Sequence, residues 1–235
     1  MTAGAATLEP PRLAYGIRKR LAAEALGSGL LVAVVIGSGV MAERLAQGNI
    51  ALALLANAVA TGAALVVLIT VFGPISGAHF NPVVSLAFAL RRELSWRLAL
   101  LYVAAQTAGA CLGAIVAHAM FALPLVQVST HARDGLAQAF SEGVATFGLI
   151  LTIFGFLRFR PHDTAVAVGL YITAAYWFTA STAFANPAVT VARMLSDTFA
   201  GIAPASAPAF IVAQIAGMAV ALGLTHWLLT EDRHD

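Results

Sequence analysis

Two dipeptides of the chain, Asn81-Pro82 and Asn186-Pro187, are of a type and spacing that could do chemistry; they stand 105 residues apart. Each opens a short apolar run, Asn81 to Leu90 and Asn186 to Leu195. Asparagine is among the best helix N-caps because its side-chain oxygen accepts a backbone N–H that has no partner inside the helix. Proline is favoured at the next position, where its missing N–H is not needed. Each dipeptide therefore predicts a helix start, with the asparagine amide left to donate to a passing molecule. The residues just before them, Gly77-Ala78-His79 and Phe184-Ala185 with Ala183, predict extended loops whose carbonyls supply acceptors. Gly77 and Ala78 are small enough for backbone to approach a solute closely. Donors facing a row of acceptors suit neutral, hydrogen-bonding solutes. No clustered His, Cys or carboxylate set of the kind a catalytic centre requires stands out, and the single cysteine, Cys111, lies in an apolar run. Neither catalysis, nor a metal, nor a cofactor is expected.

The elements that must position these groups belong to a membrane. Of 235 residues, 60% are hydrophobic and 10% charged, whereas average soluble chains carry about a quarter charged residues. An all-α, multi-pass protein with the lipid bilayer as its surroundings follows. A net charge of +2 is too small to imply a nucleic-acid partner. A spanning helix needs about 20 mainly apolar residues, and six stretches qualify: 21–42, 50–73, 97–121, 136–158, 164–181 and 207–229. The two Asn-Pro segments are too short to span, and non-helical backbone at membrane depth survives only against protein or a water-filled cavity. They are expected as re-entrant half-helices. Arg18-Lys19-Arg20 precedes the first run in the manner of a signal peptide, but Glu24 interrupts that run and it is long for the purpose; retention is expected. On one side of the membrane fall Arg12, Arg18, Lys19, Arg20, Arg91, Arg92, Arg97, Arg158, Arg160 and Arg233, and on the other Arg44, Arg133 and Arg193. The positive-inside rule then puts both termini in the cytoplasm, with residues 1–17 as an N-terminal tail.

The chain also repeats itself. Phe80-Asn81-Pro82-Val83-Val84-Ser85 matches Ala185-Asn186-Pro187-Ala188-Val189-Thr190 at an offset of 105. Gln106-Thr107-Ala108-Gly109 matches Gln214-Ile215-Ala216-Gly217 at 108, and Glu24 with Ser28 is echoed by Glu142 with Thr146 at 118. Three spans per half make the halves, about 21–121 and 136–229 of a single domain over residues 1–235, inverted relative to each other. Short apolar segments at matching places in inverted halves point to a binding or conducting site. Glu24 and Glu142 are intramembrane carboxylates and so functional candidates. Their symmetric placement favours a structural role, each accepting loop N–H groups, over a proton relay. Gly109, Gly113 and Gly217 predict close helix contacts.

Ser76-Gly77-Ala78-His79-Phe80-Asn81-Pro82-Val83-Val84, the second Asn186-Pro187-Ala188, the paired glutamates and the Ala-Gln-x-x-Gly repeats resemble the aquaporin, or major intrinsic protein, family over roughly residues 15–230. The resemblance implies the aquaporin-like fold, six transmembrane helices plus two half-helices in an inverted repeat. It further implies a pore within each subunit, a homotetramer in a cell inner (plasma) membrane, and passive conduction of water or small neutral solutes. Asn81, Pro82, Val83, Asn186, Pro187 and Ala188 would form the central motif, and Gly77, Ala78, His79, Phe184 and Ala185 the carbonyl ladder. Two departures stand out. Val83 replaces the usual alanine and adds apolar bulk at the midplane, and Val189 stands where the family usually carries the filter arginine. Thr61 falls where water-selective members carry a large aromatic, and Ala183 is the loop position of the filter. Ala174 and Tyr176 are both candidates for the fifth-helix position. Thr61, Ala183 and Val189 describe a broad, mostly apolar opening. Arg193, four residues after Val189, is either a displaced filter arginine at the outer mouth or the partner of Asp197.

Residues 176–201 are similar to a bacterial branch of the family associated with arsenic handling. The expected function is an aquaglyceroporin-like passive channel for metalloid hydroxides such as arsenite, methylated arsenicals, glycerol or urea, with water secondary. The alternatives are a water-selective or general aquaporin and, from another class, a proton-coupled secondary transporter.

Overall fold

A computed structural model describes residues 14–230. Arg12, Arg233 and residues 1–13 of the expected tail lie outside the described residues. The described chain folds into α1 (Ile17–Leu45), α2 (Ile50–Ser76), α3 (Pro82–Leu90), α4 (Trp96–Met120), α5 (Leu136–Phe159), α6 (Thr164–Phe178), α7 (Pro187–Arg193) and α8 (Ala207–Leu228). Five of these helices are long and apolar enough to cross a membrane: α1, α2, α4, α5 and α8.

The sixth expected span, 164–181, is the helix α6, which ends three residues earlier than expected. It has 15 residues and ends at Phe178, about 22 Å at 1.5 Å per residue. Thr179 turns extended, its hydroxyl donating to the Ala175 carbonyl at 2.7 Å. The following Thr179-Ala180-Ser181-Thr182-Ala183 has three hydroxyl residues but no glycine or proline, so the exit carries only a weak local sign. Leaving the helix early lets residues 179–185 run back into the protein toward α7.

The two halves are assembled alike. α1 packs on α4 and α2, α5 packs on α8 and α6, and α2 against α6 joins the halves. Arg20, near the start of α1, donates to the Tyr102 hydroxyl near the start of α4 at 2.8 Å, and Arg44 reaches the Phe121 carbonyl beyond the far end of α4 at 3.3 Å. These two helices therefore run parallel. The start of α1 and the end of α8 share one face, called here the terminal face; the loops 121–135 and 194–206 lie at the far face.

Close approach at the paired crossings depends on missing side chains. A Cβ on Gly109 would sit 2.1 Å from the Ala25 carbonyl oxygen, and one on Gly217 2.2 Å from that of Gly143. Small residues at such crossings let backbones touch where lipid offers no hydrophobic drive for association. The consequence is an outer shell tight enough to hold α3 and α7 end to end inside it.

Candidate conduction path

Each half-helix begins as its dipeptide dictates. The Asn81 side chain accepts from the Val83 N–H at 3.1 Å, and that of Asn186 from the N–H groups of Ala188 and Val189 at 3.0 and 3.2 Å. Pro82 and Pro187 occupy the first helical positions. The asparagines also cross-link the halves: Asn81 Nδ2 donates to the Ala185 carbonyl at 2.7 Å and Asn186 Nδ2 to the Phe80 carbonyl at 2.8 Å. One of the two amide hydrogens on each side chain is thereby committed, and the other remains for the lumen.

Two buried glutamates hold the loops that lead to these caps. Glu24 accepts from the N–H groups of His79 and Phe80 at 3.0 and 2.8 Å, from the Ser76 hydroxyl at 2.6 Å and from Gln106 Nε2 at 2.7 Å. Glu142 accepts from the N–H groups of Phe184 and Ala185, both at 2.8 Å, and from Gln214 Nε2 at 2.6 Å. Both carboxylates are fully buried, which costs heavily unless every lone pair is matched. The loops accept strain to match them. Ala78 and Phe80 have φ of 50° and 49°, and Ala183 and Ala185, at the same places in the second half, have 48° and 47°. Left-handed backbone costs an L-residue about 1–2 kcal/mol, less than several charge-assisted hydrogen bonds return. The N–H groups of His79, Phe80, Phe184 and Ala185 turn to the glutamates, those of Ala78 and Ala183 to the Ser76 and Ser181 hydroxyls and that of Gly77 to the Gly73 carbonyl, and the carbonyls of Gly77, Ala78, His79, Ala183 and Phe184 accept no hydrogen bond from the described residues.

A cavity of about 550 Å³ follows these loops. It starts among Leu157, Pro161 and His162 at the terminal face, passes Gly77, Ala78, His79, Asn81 and Asn186, and reaches Thr61, Tyr176, Ala183, Val189 and Arg193. Several sequence-based expectations change here. Val83 and Ala188 are buried and front no part of this cavity; at the second position of each half-helix they face neighbouring helices, so the extra bulk of Val83 goes into packing and Val84 meets the lumen instead. Pro82 and Pro187 likewise build the helix starts and do not line it. Ala185 leaves the ladder because Asn81 takes its carbonyl. Between the two fifth-helix candidates, Tyr176 lines the cavity and donates to or accepts from Thr61 Oγ1 at 3.3 Å, whereas Ala174 is exposed on the outer surface.

The far end is not mostly apolar. Arg193 is 2% exposed, its Nε donates to the Ala200 carbonyl, and its guanidinium stacks on the Phe184 ring at 3.3 Å from the centroid. The Arg193–Asp197 pair does not form; exposed Asp197 accepts from the Thr130 N–H and hydroxyl at 2.7 and 2.9 Å. Arg133, counted from sequence only as a loop charge, approaches the same Phe184 ring at 5.1 Å while its Nε donates to the Gly201 carbonyl at 2.9 Å. Burial pushes the Arg133 guanidinium below its ordinary value. Its partners lie 48–68 residues away in the chain, and no local motif signals them.

Comparison with known proteins fits this geometry. The major intrinsic protein profile matches residues 14–163. The chain belongs to the major intrinsic protein family. Aquaglyceroporin AqpS of Rhizobium meliloti (strain 1021) is 55% identical over 219 residues, covering 93% of this chain and 94% of that protein. A glycerol uptake facilitator protein of Streptococcus pneumoniae (strain ATCC BAA-255 / R6) is 31% identical, over 61% of this chain and 68% of its own length. The X-ray structure of the aquaglyceroporin from Plasmodium falciparum superposes with a TM-score of 0.74 at 20% identity, covering 91% of this chain and 97% of that one. The fold is therefore the aquaporin fold, and this member of the family is a multi-pass membrane protein, a passive channel for small neutral solutes and not an enzyme.

Proposed function

We propose that the channel conducts small neutral, hydrogen-bonding solutes: trivalent arsenite, which is an uncharged trihydroxy species at neutral pH, its methylated relatives, glycerol and urea, with water secondary. One observation carries the reading. A single cavity runs past both asparagines and on to Thr61 and Val189, neither of which projects a long or ring side chain into it. In this reading Asn81 and Asn186 donate to solute hydroxyls at the centre while the carbonyls of Gly77, Ala78, His79, Ala183 and Phe184 accept from them. Thr61, Tyr176, Ala183 and Val189 set the size limit. The similarity to an aquaglyceroporin and a glycerol uptake facilitator supports the solute class. Glu24 and Glu142, saturated by loop donors, serve as anchors. The protein assembles as a homotetramer in the plasma membrane, with both termini cytoplasmic and the far face outside.

Mass-detected arsenite uptake into proteoliposomes, beside glycerol and water fluxes, tests the assignment. Uptake well above that of empty liposomes, independent of an imposed proton gradient, is expected; arsenite uptake equal to the empty control rejects the metalloid substrate. Val189→Arg should lower arsenite and glycerol flux by about tenfold or more, since a guanidinium placed in the opening narrows it.

A further inference from the structure

We infer that Arg193 is the cation-excluding residue of this channel, a specificity determinant placed one helical turn outward of Val189. The inference rests on the channel reading and adds to it the residue that carries the charge.

Three observations converge on Arg193. It borders the same cavity as Val189, Thr61 and Tyr176, although it is almost wholly buried. Its guanidinium is immobilised between the Ala200 carbonyl and the face of Phe184. No carboxylate pairs with it directly: among the described residues neither Arg193 nor Arg133 has one within salt-bridge distance, Asp197 being held by Thr130, while Glu142, bound to the loop amides, acts on both arginines only from further off. A buried unit charge beside the path raises the energy of any cation entering it, steeply so in low dielectric.

The repeat shows that this position faces the lumen by construction. At the offset of 105, Val84 is the mate of Val189, His79 of Phe184 and Phe88 of Arg193. Phe88 also lines the cavity, and it stacks on His79 with 4.5 Å between ring centroids. Each half-helix thus carries a valine at the lumen and, a turn further from the centre, a group stacked on the loop ring. In the terminal-face half that group is a phenyl; in the far-face half it is a guanidinium. The charge is the asymmetry between two otherwise matching ends.

The test compares wild type, Arg193→Met and Arg193→Lys in proteoliposomes, reading Na⁺ and K⁺ permeability together with glycerol flux. Glycerol flux above that of empty liposomes reports an assembled pore. Arg193→Met should raise cation permeability by about tenfold or more, the scale set by removing one buried unit charge beside the path, and Arg193→Lys should restore most of the exclusion. Cation permeability at the wild-type level in an Arg193→Met pore that passes glycerol overturns the inference. If Met at 193 prevents assembly, Arg193→Gln asks the same question by removing the charge while leaving a side-chain N–H for the Ala200 carbonyl: a cation leak is expected, and unchanged exclusion in a pore that passes glycerol overturns the inference. Wild type that passes no glycerol would instead remove the channel reading itself.

Discussion

Glu24 and Glu142 show how much one side chain can hold. Glu24 takes four donors from three segments, so Glu24→Gln exchanges an acceptor oxygen for a donor facing donors. A loss of about 2–4 kcal/mol is expected, from one or two broken charge-assisted bonds. Thermal unfolding in detergent measures it, and a variant as stable as wild type would show that the loop holds its own conformation. Asp197 offers a pH-dependent counterpart outside the membrane. The Thr130 N–H, then the Thr130 hydroxyl, hold its carboxyl below the usual range. A depressed carboxyl stabilises the folded loop above the ordinary carboxylate range, and that contribution disappears as pH falls through the lowered value. Wild type and Asp197→Asn should therefore differ in melting temperature near neutrality and converge in acid; a gap that persists in strong acid contradicts the assignment.

Among the elements, the crossings of α1 with α4 and of α5 with α8 set the tolerance of the scaffold. A Cβ at Gly217 meets the Gly143 backbone oxygen at 2.2 Å, and backbone cannot swing aside as a flexible side chain does. Gly217→Ala should cost about 1–3 kcal/mol through forced helix separation. Gly223, on the same helix, has nothing within 4 Å of its would-be Cβ, and Ala there should be neutral or stabilising by up to about 1 kcal/mol. Equal unfolding temperatures for the two variants would mean that α5 and α8 are not locked at that contact. The half-helices were legible at this scale because Asn-Pro is a local signal that acts within four residues. The early end of α6 was less legible, since Thr179, Ser181 and Thr182 mark it only weakly, with no glycine or proline to fix the boundary.

For the whole molecule, the decisive joint is the pair of bonds by which each asparagine grips the opposite loop, Asn81 to Ala185 and Asn186 to Phe80. Neither half completes its own cap region. Asn81→Ala and Asn186→Ala should each destabilise by about 1–2 kcal/mol, and the double variant should deviate from additivity, because both bonds close one interface. Strict additivity in a double-mutant cycle would mean that the two halves meet independently. The sequence by itself determined the membrane class, the internal repeat, the half-helix starts and the paired glutamates. All of these follow from composition, spacing or neighbours in the chain, which are written along one dimension. Only the tertiary structure decided that Val84 and not Val83 meets the lumen, that Tyr176 and not Ala174 faces inward, and that Arg193 leaves Asp197 for Phe184. Those outcomes depend on which side of each helix its distant neighbours cover, and on an arginine at 133 whose partners the chain brings back from more than 45 residues away.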